Sequence, residues 1–247
     1  MIVAVDQPNY LPWKGYFDLI HDVDLFVFYN DVQYTVRDWR SRNRIMTPDG
    51  LKWLSVPAGS NRNRLICEVK LEDKSWQKKH LETIRFAYSK APFFSRYFPF
   101  FEEVYLGQTW DYLFELNQFL TVAISREFLG IKTRFADSRN FPKQGMKHEK
   151  MLSLMDSLGN VDIYESGPAA KDYIIPEDYE KKGIELVWKN YEGYPEYPQL
   201  SKEFTHQVSI IDLLFNVGDE APYYIWGWRK DANIPAYTKH AAPQKNP

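Results

Sequence analysis

The stretch "IVAVDQPNYLPWKGYFDLIHDVDLFVFY" (residues 2–29) sets two short apolar runs on either side of a turn-rich loop and a short amphipathic segment. "IVAV" (2–5) and "DLFVFY" (24–29) are nearly continuous in apolar residues. That is the pattern of strands covered on both faces, as in a parallel sheet. "GYFDLIHDV" (15–23) supplies the crossover helix that parallel neighbours need. The alternation resumes downstream, with strands at "TRFAD" (133–137), "VDIYES" (161–166) and "IELVWK" (184–189). Helices at "HEKMLSLMDSLGN" (148–160) and "PEDYEKKG" (176–183) separate them. The expected fold is therefore α/β, a parallel sheet of about five strands with helices on both faces.

An insertion interrupts this alternation after the second strand, at about residues 40–72. "NRIMTPDGLKWLSVPA" (43–58) reads as a β-hairpin turning at Pro48-Asp49-Gly50. "RLICEVKLE" (64–72) has period two and reads as a further strand that turns Leu65, Cys67, Val69 and Leu71 inward. The helix from Ser75 sets Trp76, His80, Ile84 and Tyr88 on one inward face. A long helix over 109–131 stops at Gly130, and "SIIDLLFNVG" (209–218) is apolar nearly all round, hence buried. Ser209 and Asp212 have the spacing of a helix-capping pair, which accounts for them better than a nucleophile and its acid. Residues 1–228 are expected to form a single domain, and 229–247 a loosely ordered tail.

Composition narrows the function classes. A net charge of −2 argues against bulk attraction to nucleic acid or an anionic membrane. Cys67 is the only cysteine, so neither an intrachain disulfide nor a cysteine metal cluster is available. No two histidines have metal-ligand spacing, and no metal site is expected. No apolar run is long enough to span a bilayer, and the N-terminus lacks a basic, apolar leader, so a cytoplasmic chain with no transmembrane segment is expected. The aromatic share, 17%, fits a thick core, aromatic-lined pockets, or both.

Ligands in open α/β sheets bind beyond the carboxyl ends of the strands. Asp6, Gln7 and Asn9 follow the first strand, Asp31 and Gln33 the second, and Glu165 and Ser166 a later one. Convergence on one rim and plain turn chemistry are both open for them. Two prolines and a glycine explain how residues 7–15 turn, but a turn requires neither Gln7 and Asn9 nor the ring of Tyr10, Trp13 and Tyr16. Arg37, Arg40, Arg42 and Arg44 surround Trp39, and Arg62 and Arg64 lie across the hairpin. Guanidinium forks of this kind suit phosphate or carboxylate.

Six ordered motifs, "QPNYLPWKGYFDLI", "DLFVFYNDVQY", "WRSRNRI", "WQKKH", "YPEYPQL" and "SIIDLLFNVG", together resemble the WbqC-like protein family over residues 1 to about 218. The matching positions include Gln7, Asn9, Tyr10, Trp13, Tyr16, Asp31, Gln33, Arg42, Asn43, Arg44, His80, Tyr197 and Gln199. Members commonly carry histidine before the Gln-Pro-Asn-Tyr run, where this chain has Asp6. The resemblance implies a role in surface polysaccharide (O-antigen) synthesis, transferring an aminoacyl group such as glycine to an amino sugar. On that reading Arg42 and Arg44 hold phosphates, and Tyr10, Trp13 and Tyr16 wall the sugar. Asp6 or Asp31, with His80, takes the amine proton. Asn43, Ser166, Tyr197 and Gln199 complete the expected binding set. The substrate would be a nucleotide-activated amino sugar or glycan precursor, with no cofactor.

The layout is also similar to that of nucleotidyltransferase-type amide ligases such as pantothenate synthetase. Their His-x-Gly-His is here Trp13-Lys14-Gly15-Tyr16. ATP use through an adenylate is therefore an alternative, and a non-catalytic glycan-binding or assembly protein a third.

Overall fold

A computed structural model describes residues 1–201 and 203–239. Five parallel strands are there as expected: β1 (Ile2–Asp6), β2 (Leu25–Phe28), β5 (Arg134–Asp137), β6 (Ile163–Ser166) and β7 (Glu185–Lys189). Their spatial order is β5-β2-β1-β6-β7, and β8 (Tyr237–Lys239) adds to β7 as an antiparallel edge. Strand alternation divides the side chains between two cores. Ala4, Phe26 and Phe28 face one core with α1 (Lys14–His21) and α4 (Leu113–Ala123). Val3, Val5, Leu25 and Val27 face the other with α5 (His148–Leu158) and α6 (Pro176–Glu180).

The hairpin forms from β3 (Arg42–Thr47) and β4 (Gly50–Ser55), with Thr47 opposite Gly50. Gly50 sits at φ +101°, which a side chain at that position would oppose. Behind the hairpin pack α2 (Ser75–Tyr88), α3 (Phe94–Glu102) and α7 (Ile210–Val217). Trp76, His80, Ile84 and Tyr88 are buried, as the spacing requires, and Ser209 caps α7 by accepting from the Ile211 N–H.

Three stretches differ from expectation. Residues 64–72 form a 3₁₀ turn (Ile66–Glu68), not a strand, because their amides pair with passing loops: Ile66 N–H donates to Val32 O and Leu71 N–H to Asp111 O. The long helix stops at Ala123 and widens into a π-type turn over Ile124–Phe128 before Gly130 at φ +66°. Residues 229–239, expected to be loose, complete α8 (Trp228–Ala232) and supply β8. Arg229 is buried, which explains their order; the remainder of the expected tail, 240–247, lies outside the described residues.

Arg229 closes a charge cluster beneath α1. Its guanidinium donates to both oxygens of Asp18, at 2.9 and 2.5 Å. Lys189, fully buried, contacts Asp18 at 3.0 Å, Asp22 at 2.5 Å and Glu165 at 3.7 Å. Among the described residues neither Glu165 oxygen has a hydrogen-bond partner, and burial pushes its carboxyl up to about 8. With Glu165 protonated, two carboxylates balance two cations, so the cluster is neutral where water is absent.

Candidate functional site

The strand order reverses between β1 and β6. The chain leaves β1 toward α1 on one face and leaves β6 toward α6 on the other, opening a crevice at the adjacent carboxyl ends. Asp6 and Ser166 stand at those ends. Asp6 is half-buried, and its Oδ1 accepts from the Gln7 N–H at 2.7 Å. Loss of hydration pushes its carboxyl up to about 6, against the opposing pull of the Gln7 amide and of Arg40. Arg40 donates to the Gln7 side-chain oxygen and pairs with Asp38.

The loop from Gln7 to Trp13 is fixed from outside. Leu11 holds φ +42°, a conformation that costs energy for a branched side chain and persists where surroundings over-determine it. Asn43 Nδ2 donates to Leu11 O at 2.7 Å and Asn117 Nδ2 to Pro8 O at 3.0 Å. Tyr16 O–H donates to Gln7 O at 2.9 Å, and the Ile210 N–H to Pro12 O at 2.8 Å. Donors from four elements thus hold four carbonyls of one loop.

The far end of this loop walls a cavity of about 580 Å³. Asn9, Pro12 and Trp13 line one side; Trp39, Asn43 and Arg44 come from the hairpin region, and His206 and Gln207 from the segment before α7. Arg44 donates to Gln207 Oε1 at 2.8 Å. Behind the cavity Lys14 is buried against the rings of Tyr194 and Tyr197, at 4.7 and 5.3 Å, and burial lowers its ammonium to about 7. Burial and the neighbouring Lys14 lower His206 to about 4, so it is neutral at physiological pH. Gly15 serves the packing here: a Cβ would lie 2.2 Å from the Trp13 indole.

Several expected site residues lie elsewhere. Tyr10 is fully buried, and its hydroxyl bonds His80 Nδ1 at 2.8 Å and Tyr105. His80 Nε2 donates to Ser55 O at 3.2 Å, so Nδ1 accepts, both ring nitrogens are engaged, and burial lowers the ring to about 4. Tyr16 packs in the core against Phe26. Asp31 is paired with Lys143 at 2.8 Å and Lys150 at 3.1 Å. Those bonds, with one from Ser138, outweigh desolvation and hold its carboxyl below the usual range, which makes it a poor proton acceptor. Gln33 is exposed and donates to Arg62 O at 3.3 Å. Tyr197 and Gln199 donate to the buried Asp212 at 2.8 and 2.7 Å, a network that ties the loop after β7 to α7. Asn43 faces the cavity while its amide holds the loop, and Ser166 is buried at the rim. Asp6, Gln7 and Ser166 therefore gather at the crevice, and Asn9, Trp13, Asn43 and Arg44 at the cavity.

Sequence reasoning gave no role to Trp39, Lys14, His206 or Gln207. The tryptophan inside the arginine cluster was the available signal for the first. Nothing in the local pattern marks the other three, which meet the cavity only through tertiary packing. Among the described residues no helix is long and apolar enough to cross a membrane, and no group of three or more His, Cys, Asp or Glu stands where it could hold a metal ion.

The uncharacterized protein Rv1507c of Mycobacterium tuberculosis is 41% identical over 225 residues, 90% of this chain and 96% of its own. No solved structure matches. The model of the WbqC-like protein family matches residues 7–224, a span that holds both the β1–α1 loop and the segment before α7. The chain belongs to the WbqC-like protein family.

Proposed function

We propose that this protein is an aminoacyl transferase of surface polysaccharide (O-antigen) synthesis, attaching a group such as glycine to an amino sugar carried on a nucleotide or glycan precursor. The observation that carries the reading is Asp6, a carboxyl raised to about 6 at the sheet's switch point, on the same loop that walls a cavity with Trp13 and faces Arg44. Family membership supports the pathway, because the resemblance implies it.

In this mechanism the ionised Asp6 takes a proton from the acceptor ammonium. The free amine attacks the acyl carbon of an activated donor, the new C–N bond forms, and the bond to the leaving group breaks. The proton released as the amide forms leaves with that group. No enzyme nucleophile is used; Cys67 sits apart, beside Arg139 and Tyr112. Aromatic walls hold the ring and the arginines its anionic handle.

The test is incubation with amino-sugar nucleotides and an activated glycine donor, followed by mass spectrometry for the amide. Product that disappears in Asp6→Asn supports the reading; no product and no binding across donors and acceptors overturns it. Exchange of labelled pyrophosphate into ATP, dependent on an amino acid, would instead assign an adenylate-forming ligase.

A further inference from the structure

Beside the cavity, flat groups are layered. Trp39 and Trp53 are 45% and 42% exposed, unusual for indoles, and their rings lie 5.7 Å apart at 36°. The Arg42 guanidinium lies 4.3 Å from the Trp53 ring, and Arg44 lies 5.4 Å from Trp53 and 5.9 Å from Trp39. Register explains part of this, since Arg44 pairs directly with Trp53 across the hairpin.

The charges are unbalanced there. Among the described residues neither Arg42 nor Arg44 pairs with a carboxylate, whereas Arg40 pairs with Asp38 and Arg64 donates to the Asn61 and Ala58 carbonyls. Among the described residues the Nε atoms of Arg42 and Arg44, both buried, lack hydrogen-bond partners. Trp39 and Arg44 line the cavity, and its opposite side carries Trp13 and Asn9. Gln207 accepts from Arg44 through its oxygen, which leaves its amide N–H groups to donate.

We propose that this layer is a nucleotide subsite: a planar base stacks on Trp39, Asn9 and Gln207 meet its polar edge, and Arg42 and Arg44 take a diphosphate. The inference rests on the reading that the cavity holds substrate, and it assigns that substrate to the nucleoside diphosphate class in place of an unactivated glycan. Three features select a base over a sugar ring. The existing cluster consists of planar π groups within aromatic and cation–π contact range, two cations without a carboxylate partner among the described residues adjoin it, and a volume of about 580 Å³ exceeds the needs of one sugar ring.

The experiment is calorimetric titration of the full chain with uridine and guanosine diphosphates, pyrophosphate and glucosamine, with no acyl donor present. The expected result is binding of at least one nucleoside diphosphate more tightly than pyrophosphate or glucosamine. Trp39→Ala should weaken it about tenfold, Trp39→Phe much less, and Arg42→Ala with Arg44→Ala should remove the gain from the phosphates. Circular dichroism and melting of each variant separate lost binding from lost folding. Nucleotide binding no tighter than that of pyrophosphate overturns the proposal, as do glucosamine binding that depends on Trp39 and affinities unchanged in folded variants. Because no turnover is read, nucleotide binding leaves the subsite standing whatever the outcome of the transfer assay.

Discussion

Asp6 is the residue on which the chemistry turns. With a carboxyl near 6, it is mostly ionised at neutral pH yet basic enough to accept a proton. The expected outcome is a kcat/KM that rises with pH through about 6 in the free enzyme. Asp6→Asn should abolish that limb and lower kcat by roughly 10²–10⁴-fold. Glu165 gives a second titration, read in stability. Its carboxyl is raised from an ordinary 4.5 to about 8, so between those values the folded state holds a proton that the unfolded state has lost. Stability contributed by the protonated form is intact below about 4.5 and falls as pH rises to about 8. Glu165→Gln should therefore melt progressively higher than the parent as pH is raised across that window, with the gap levelling off above it. Gln7 and Asn9 stood out in the sequence because the prolines already account for the turn, and in the structure Gln7 accepts from Arg40 while Asn9 lines the cavity. The burial of Tyr10 was not legible, and although helix spacing turned His80 inward, the hydrogen bond between them joins residues 70 positions apart.

At the scale of elements, the β1–α1 loop is a strained connection held by donors from other elements. Asn117, on α4, donates to both Pro8 O and Arg40 O, at 3.0 and 2.8 Å. Asn117→Ala should leave both carbonyls without that partner and cost about 1–3 kcal/mol, measured by urea denaturation. Because the same amide bridges the Asp6 loop and the Arg40 segment, catalytic efficiency should fall even where the variant is fully folded. The hairpin was legible because Pro48-Asp49-Gly50 is a local signal. The strand expected at 64–72 failed for the opposite reason. The period-two pattern held at Val69 and Leu71, but Leu65 is exposed and Ile66 buried, and the pattern does not say whether a neighbouring strand exists to accept the amides.

For the whole molecule, hydrophobic runs announced the five parallel strands, but their order, and hence the crevice at β1 and β6, depends on long-range pairing. The polar, proline-containing carboxyl-terminal stretch hid a structural role, because Arg229 is charged and its partner Asp18 lies 211 residues earlier. Arg229→Met should cost about 3–5 kcal/mol, since it strips one cation from a buried carboxylate. Differential scanning calorimetry should show the loss as a lower Tm at neutral pH.

That pairing also sets a timetable. During synthesis Asp18 emerges early, and Lys189 and Arg229, the cations it pairs with at 3.0 and 2.5 Å, emerge much later. Until Arg229 leaves the ribosome, Lys189 is the fully buried cation against Asp18, Asp22 and Glu165, and Asp18 lacks its two-pronged guanidinium partner. Full pairing of Asp18 is thus deferred until after the five parallel strands have been translated, and Arg229 completes from the carboxyl-terminal side a cluster that α1 begins.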